Sequence, residues 1–142
     1  MDSSSAPKGG SVKPVVFTSH IHDEADEAKW LKDSISRLLL GGIEFFVSSD
    51  KTAIIGGDRW LNKIEEALKK SAVVLVLCSE KSVLRPWINF EAGGAWIAGK
   101  RVVPICHEGM IPSHLPEPLK SLQAYNLRSA QDYLDLVELL RL

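Results

Sequence analysis

The run Ala72-Val73-Val74-Leu75-Val76-Leu77 constrains this chain most, because consecutive apolar residues bounded by polar ones cannot alternate between a wet and a dry face. Such a segment is the pattern of a strand buried on both sides, as in parallel sheets covered by helices. Strand-like and helix-like segments alternate around it. Residues 14–19 and 43–47 are short β-branched or aromatic runs, and 24–40 follow as a helix with Trp30, Leu31, Ile35, Leu38 and Leu39 at three- and four-residue intervals. Gly41-Gly42 closes that helix. Trp60, Leu61, Ile64, Ala67 and Leu68 mark a second helix that Asp58 can cap. Residues 102–105 read as a fourth strand, whose Pro104 argues against pairing on both sides, and 124–127 as a short fifth. A last helix starts near Ala130. Alternating strands and helices imply an α/β three-layer fold with right-handed crossovers, and five such units give the flavodoxin-like order 2-1-3-4-5. In that order ligands bind beyond the carboxyl ends of strands 1 and 3.

With 142 residues, 45% of them hydrophobic, the chain supports one globular domain over residues 14–142, after a flexible tail at 1–13. The final helix ends on Leu139, Leu140 and Leu142, so a domain excised from a longer protein is expected. Seventeen Lys and Arg against 18 Asp and Glu give a net charge of −1, which offers no basic surface for nucleic acid. No apolar run approaches the roughly 18 residues needed to span a membrane. Cys78 and Cys106 each end an apolar run without metal-ligand or disulfide spacing and read as buried or cleft-edge thiols in a reducing cytoplasm.

The segment from Cys78 to Trp96 contains an anomaly. Glu91 lies in an otherwise nearly apolar helix, and its neighbours at three and four residues are Trp87, Ile88, Gly94 and Ala95, so the helix supplies no cation. Burying an ionised carboxylate unpaired costs several kcal/mol. Either another element satisfies Glu91 or it faces the cleft between strands 1 and 3, whose ends carry Ser19-His20 and Cys78-Ser79. Pro86 suits the first turn of this helix.

Several motifs promise more than they hold. Gly94-Ala95-Trp96-Ile97-Ala98-Gly99-Lys100 resembles a phosphate-binding loop, but Arg101 stands where Ser or Thr belongs, and the motif ends a helix instead of starting one. Gly99 reads better as a helix C-cap. His20 and His22 lack further clustered ligands, so no metal site is expected. The acidic residues of a phosphoacceptor domain are missing after strands 1 and 3, and there is no Gly-x-Ser-x-Gly elbow.

Four blocks together resemble a Toll/interleukin-1 receptor (TIR) domain of the bacterial, NAD-cleaving kind: Val15-Val16-Phe17-Thr18-Ser19-His20, residues 57–64 from Gly57, residues 74–82 ending Ser79-Glu80-Lys81-Ser82, and Pro86-Trp87-Ile88-Asn89-Phe90-Glu91-Ala92-Gly93. The resemblance implies the same five-stranded fold and a family divided between signalling adaptors and enzymes that cleave the nicotinamide–ribose bond of NAD. The enzymes carry an essential glutamate early in the third helix with a Trp four residues before it, and Glu91 and Trp87 match that pair. By resemblance Phe17, Ser19, His20, Ser48, Asp50, Ser79, Ser82 and Trp87 bind the substrate. The long loop read at residues 48–58 (Ala53, Ile54, Ile55, Gly56, Gly57 and Asp58) then packs, with the third helix, against a neighbouring copy in self-association. NAD is the substrate, no cofactor is required, and a role in antiphage defence is implied.

One carboxylate suits that chemistry. Glycosidases generally use two, because a leaving alcohol must be protonated. Nicotinamide instead leaves a cationic pyridinium as a neutral base, so a single ionised carboxylate can stabilise the oxocarbenium charge. Each assignment has a plainer rival: Glu91 as a structural carboxylate, Phe17 and Trp96 as core, Ser79 and Ser82 as turn residues. The alternative functions are a non-catalytic TIR–TIR interaction module and, further off, a nucleoside deoxyribosyltransferase-like enzyme.

Overall fold

The structure, a computed structural model, describes residues 12–142, with only the backbone of residues 51–56; the expected tail at 1–13 therefore lies almost wholly outside the described residues. Five strands, β1 (Val15–His20), β2 (Glu44–Ser49), β3 (Ser71–Cys78), β4 (Arg101–Cys106) and β5 (Tyr125–Asn126), form one parallel sheet in the order β2-β1-β3-β4-β5. This is the expected 2-1-3-4-5 arrangement. Four helices cover it: α1 (Ala25–Leu38), α2 (Asp50–Lys70), α3 (Pro86–Ile97) and α4 (Ala130–Leu139).

The apolar run lies at the centre as β3, and its alternating side chains feed two cores. Val74, Val76 and Cys78 pack with Phe17, Ile64, Ala67, Ile88, Ala92 and Ala95 under α2 and α3. Val73, Leu75 and Leu77 pack with Leu31, Ile35, Leu136 and Leu140 under α1 and α4. A Val, Leu or Ile buried this completely contributes about 1.5–3 kcal/mol relative to an exposed one. Pro104 is tolerated because β5 pairs with β4 only at Ile105 and Cys106, so the strand is free along most of its outer edge. Both cysteines are buried and free, and burial pushes the Cys106 thiol up to about 11.

Three expectations need correction. The segment after β2 is not an open loop: α2 begins at Asp50 and is broken only at Gly57, whose φ of 62° and ψ of −152° are accessible to glycine alone. The glycines that suggested a loop serve a kink inside a helix. Trp96 is not core but 62% exposed, because α3 turns Ile88, Glu91, Ala92 and Ala95 inward and Trp96 lies off that face. On α1, Trp30 and Leu38 likewise remain half-exposed while Leu31 and Ile35 are buried; Trp30 rests against Tyr133 of α4 at 5.7 Å.

The helix ends explain the false phosphate loop. Gly99 (φ 76°) follows α3 with its N–H on the Trp96 carbonyl and the Lys100 N–H on the Ala95 carbonyl, a Schellman cap. The Lys100 amino group donates to the Lys69 carbonyl at 2.8 Å. α1 ends in the same motif, with the Gly41 N–H on the Ser36 carbonyl, but there the left-handed position (φ 53°) is filled by Leu40, whose side chain is 94% exposed. A left-handed non-glycine residue costs about 1–2 kcal/mol, partly offset in the variant by the greater flexibility of unfolded glycine. Leu40→Gly is therefore expected to stabilise the protein by about 0.5–1 kcal/mol in urea denaturation; a destabilised variant would show that the Leu40 side chain makes a contact worth more than its backbone strain.

Candidate functional site

The site starts from strand register. β1 and β2 pair so that Phe17 lies beside Phe46 and Ser19 beside Ser48. Residues two apart share a sheet face, and that face looks toward α2 and α3. Its lower rung is apolar, with Phe17 stacked on Phe46 at 5.3 Å and Phe46 on Trp60 at 5.8 Å. Its upper rung is two hydroxyls at the carboxyl edge of the sheet.

α3 delivers the carboxylate to that rung. Pro86 opens the helix after an extended Arg85, and Ile88, Ala92 and Ala95 bury one face. Glu91, three residues after Ile88, is carried in with them and is 1% exposed. The Ser19 hydroxyl donates to Oε1 and the Ser48 hydroxyl donates to Oε2 at 2.8 Å. Neither donor carries a charge. Burial therefore dominates and raises the Glu91 pKa to about 7; the two serines and the nearby Trp87 indole oppose the rise, and the negative charge of Asp50 adds to it. The Trp87 Nε1–H is buried without a complete hydrogen bond, so it favours the carboxylate by proximity, and its ring lies 5.3 Å from that of Phe90.

Around this centre runs a charged rim. The Asp50 carboxylate accepts from the His22 backbone N–H and from Arg85 Nη1, both at 2.8 Å. Arg85 also reaches Asp23 at 3.6 Å, and Asp23 binds the Lys81 ammonium, which holds its carboxyl below the usual range. His20 is buried next to Ser19, its Nδ1 2.6 Å from the Ile21 carbonyl.

The other expected residues fall elsewhere. Phe17 is fully buried in the core. Ser79 and Ser82 clasp each other, each side-chain oxygen accepting from the other's backbone N–H, at 2.8 and 2.9 Å. The Ser82 hydroxyl donates to the Leu77 carbonyl, and the Ser79 hydroxyl donates to a different buried carboxylate, Glu24, at 2.5 Å. Of the expected assembly segment, Gly57 forms the α2 kink and Asp58 is exposed; of Ala53, Ile54, Ile55 and Gly56 only the backbone is described. Arg85 and Glu24 escaped the sequence reading. Arg85 was legible as the cation beside Pro86, whereas nothing distinguished Glu24 from its acidic neighbours Asp23, Asp26 and Glu27.

Ser19, Ser48, Trp87 and Glu91 thus converge at the carboxyl edge, where the strand order predicts a ligand. A groove of about 1020 Å³ lies instead at the amino edge, beside Pro14, Glu44 and Lys70, away from this chemistry.

Residues 16–140 match the family model described as the TIR domain. Among solved structures, a metazoan TIR-STING receptor from C. gigas superposes with a TM-score of 0.64 at 19% identity, over 89% of this chain and 40% of that one. A CMP N-glycosidase from Clostridium botulinum gives 0.54 at 18% identity, over 88% of this chain and 98% of that one. Likenesses at these identities show the fold alone, and the chain spans well under two thirds of the receptor's length. No curated protein is similar enough in sequence to count as a relative. With the family match running from β1 to the end of α4 and the sheet in the family's order, the chain belongs to the TIR domain family.

Proposed function

We propose that this TIR domain is an NAD glycohydrolase in which Glu91 stabilises the ribosyl transition state. The reading rests above all on the Glu91 carboxylate, buried at 1% exposure with two hydroxyl donors and with a pKa near neutrality. A structural carboxylate gains stability from cationic or multiple backbone partners, and among the described residues this one has neither. Buried groups held at such a cost cluster at functional sites.

The reaction follows from the charges. The bond between C1′ of the ribose and the pyridinium nitrogen breaks, its electron pair leaves with neutral nicotinamide, and positive charge spreads over C1′ and the ring oxygen. Ionised Glu91 faces that charge in a site poor in water, where an electrostatic interaction is strong. Water then attacks C1′ and its proton passes to Glu91 or solvent, giving ADP-ribose; attack by an adenine nitrogen of the same molecule gives a cyclic isomer. Ser19 and Ser48 hold both carboxylate oxygens, and the Trp87 ring offers a face to a base.

In the single chain the carboxylate is closed to solvent, so NAD reaches it only when the elements packed around Glu91 rearrange. Self-association supplies the driving force. On and before α3, Leu84, Phe90, Trp96 and Ile97 expose 80%, 66%, 62% and 87% of their surface, and burying such side chains against a second copy is favourable. The same surface supports the rival reading, a non-catalytic interaction module.

Incubating concentrated protein with NAD is expected to release nicotinamide, with specific activity rising with protein concentration and falling in Trp96→Asp. Glu91→Gln should lose at least about a hundredfold in rate. Equal turnover by that variant removes Glu91 from the chemistry; no turnover at any concentration favours the interaction module, and release of cytosine from CMP would redirect the substrate class.

Ionised Glu91 is the active form, so the rate is expected to rise with pH through about 7 and level off above 8. Ser48→Ala removes a donor that favours the carboxylate and should move this limb to higher pH. Stability runs the other way. A carboxyl whose pKa is higher folded than unfolded favours the fold most below the unfolded value, 4.5, and this contribution is lost as pH rises to about 7. Glu91→Gln is therefore expected to be more stable than the parent at pH 8 by about 1–3 kcal/mol in urea denaturation.

A further inference from the structure

We propose that Glu27, His107 and Glu108 form a divalent transition-metal site, best suited to zinc, at the carboxyl edge of β4. No metal was expected from the sequence, where His20 and His22 lack clustered ligands and Glu27 lies far from the adjacent His107 and Glu108. The fold unites them: a carboxylate oxygen from each glutamate and a ring nitrogen of His107 all lie within 4.8 Å of one another.

His107 provides the independent indication of a ligand. Its ring is 5% exposed, yet neither ring nitrogen completes a hydrogen bond. Nε2 sits 3.2 Å from Oε1 of the buried Glu24, whose other oxygen accepts from the Ser79 hydroxyl. A carboxylate behind an imidazole in this way orients the ring of metal-bound histidines and makes the opposite nitrogen a better donor. Here Nε2 is the nitrogen beside Glu24, and Nδ1 is likewise without a hydrogen-bond partner. Burying an imidazole nitrogen without a partner is costly, and coordination removes that cost.

The charges point the same way. Glu24 and Glu27 share one face of the chain entering α1, and Glu108 closes the other side from a turn in which Glu108 (φ 49°) and Gly109 (φ 85°) are both left-handed and the Met110 N–H bonds the His107 carbonyl. Three carboxyl groups therefore crowd one imidazole. Among the described ion pairs no lysine or arginine reaches any of the three. Imidazole with carboxylates favours zinc over the oxygen-seeking magnesium and calcium. Three protein donors leave a coordination position for water, and the ion ties α1 to the loop after β4.

The test is equilibrium dialysis of chelator-stripped protein against zinc chloride, with bound metal quantified, beside thermal melts with and without zinc. We expect one zinc per chain and a raised Tm. Glu27→Gln with Glu108→Gln, which alters two groups nearer the surface than His107 and leaves the core intact, should weaken binding at least about tenfold and abolish the Tm shift, while His22→Ala leaves both unchanged. The proposal is overturned by the absence of stoichiometric zinc, by binding indifferent to the double glutamine variant, or by binding lost in His22→Ala. None of these outcomes bears on Glu91.

Discussion

The pairing of β1 with β2 in one register is the constraint on which the site depends. Because side chains alternate along a strand, the register that sets Phe17 against Phe46 in the core also sets Ser19 against Ser48 above it. A slip of one residue on either strand would put a hydroxyl against a valine or on the opposite face. The apolar rung holds the pair in place and the polar rung clamps Glu91, so one set of backbone hydrogen bonds serves both packing and chemistry. α3 completes the arrangement with little freedom of its own, since Pro86 fixes its start and Ile88, Ala92 and Ala95 fix its rotation.

The architecture was legible because its signals are dense. β3 could only be a central strand, and the helical periods of α1 and α2 were strong enough to fix the alternation. What failed was exposure at single positions. Trp30 and Trp96 looked like core because large aromatics usually are, but rotation about a helix axis depends on several residues at once, and Leu31, Ile35 and Ala95 outweighed them. Gly56 and Gly57 misled in another way: a glycine that permits a kink and one that permits a loop look identical in sequence.

At the site, Glu91 announced itself by contrast with its apolar helix and Ser19 stood at the end of its strand, whereas Trp87 and Ser48 came from the family resemblance. The Glu24, Ser79 and His107 group could not be found that way. It assembles from three segments whose proximity is set only by the sheet order, and none of its members contrasts with its local sequence. Two buried carboxylates thus stand at one sheet edge, Glu91 with two serine hydroxyls and Glu24 with one serine hydroxyl and an imidazole.

The bond from the Lys100 ammonium to the Lys69 carbonyl joins the carboxyl ends of α2 and α3, at the sheet edge away from Glu91. The last turn of α2 is thereby tied to the chain just beyond α3. Ser19 and Ser48 stand on the sheet and Glu91 on α3, so any shift of α3 against the sheet would change both hydroxyl bonds together.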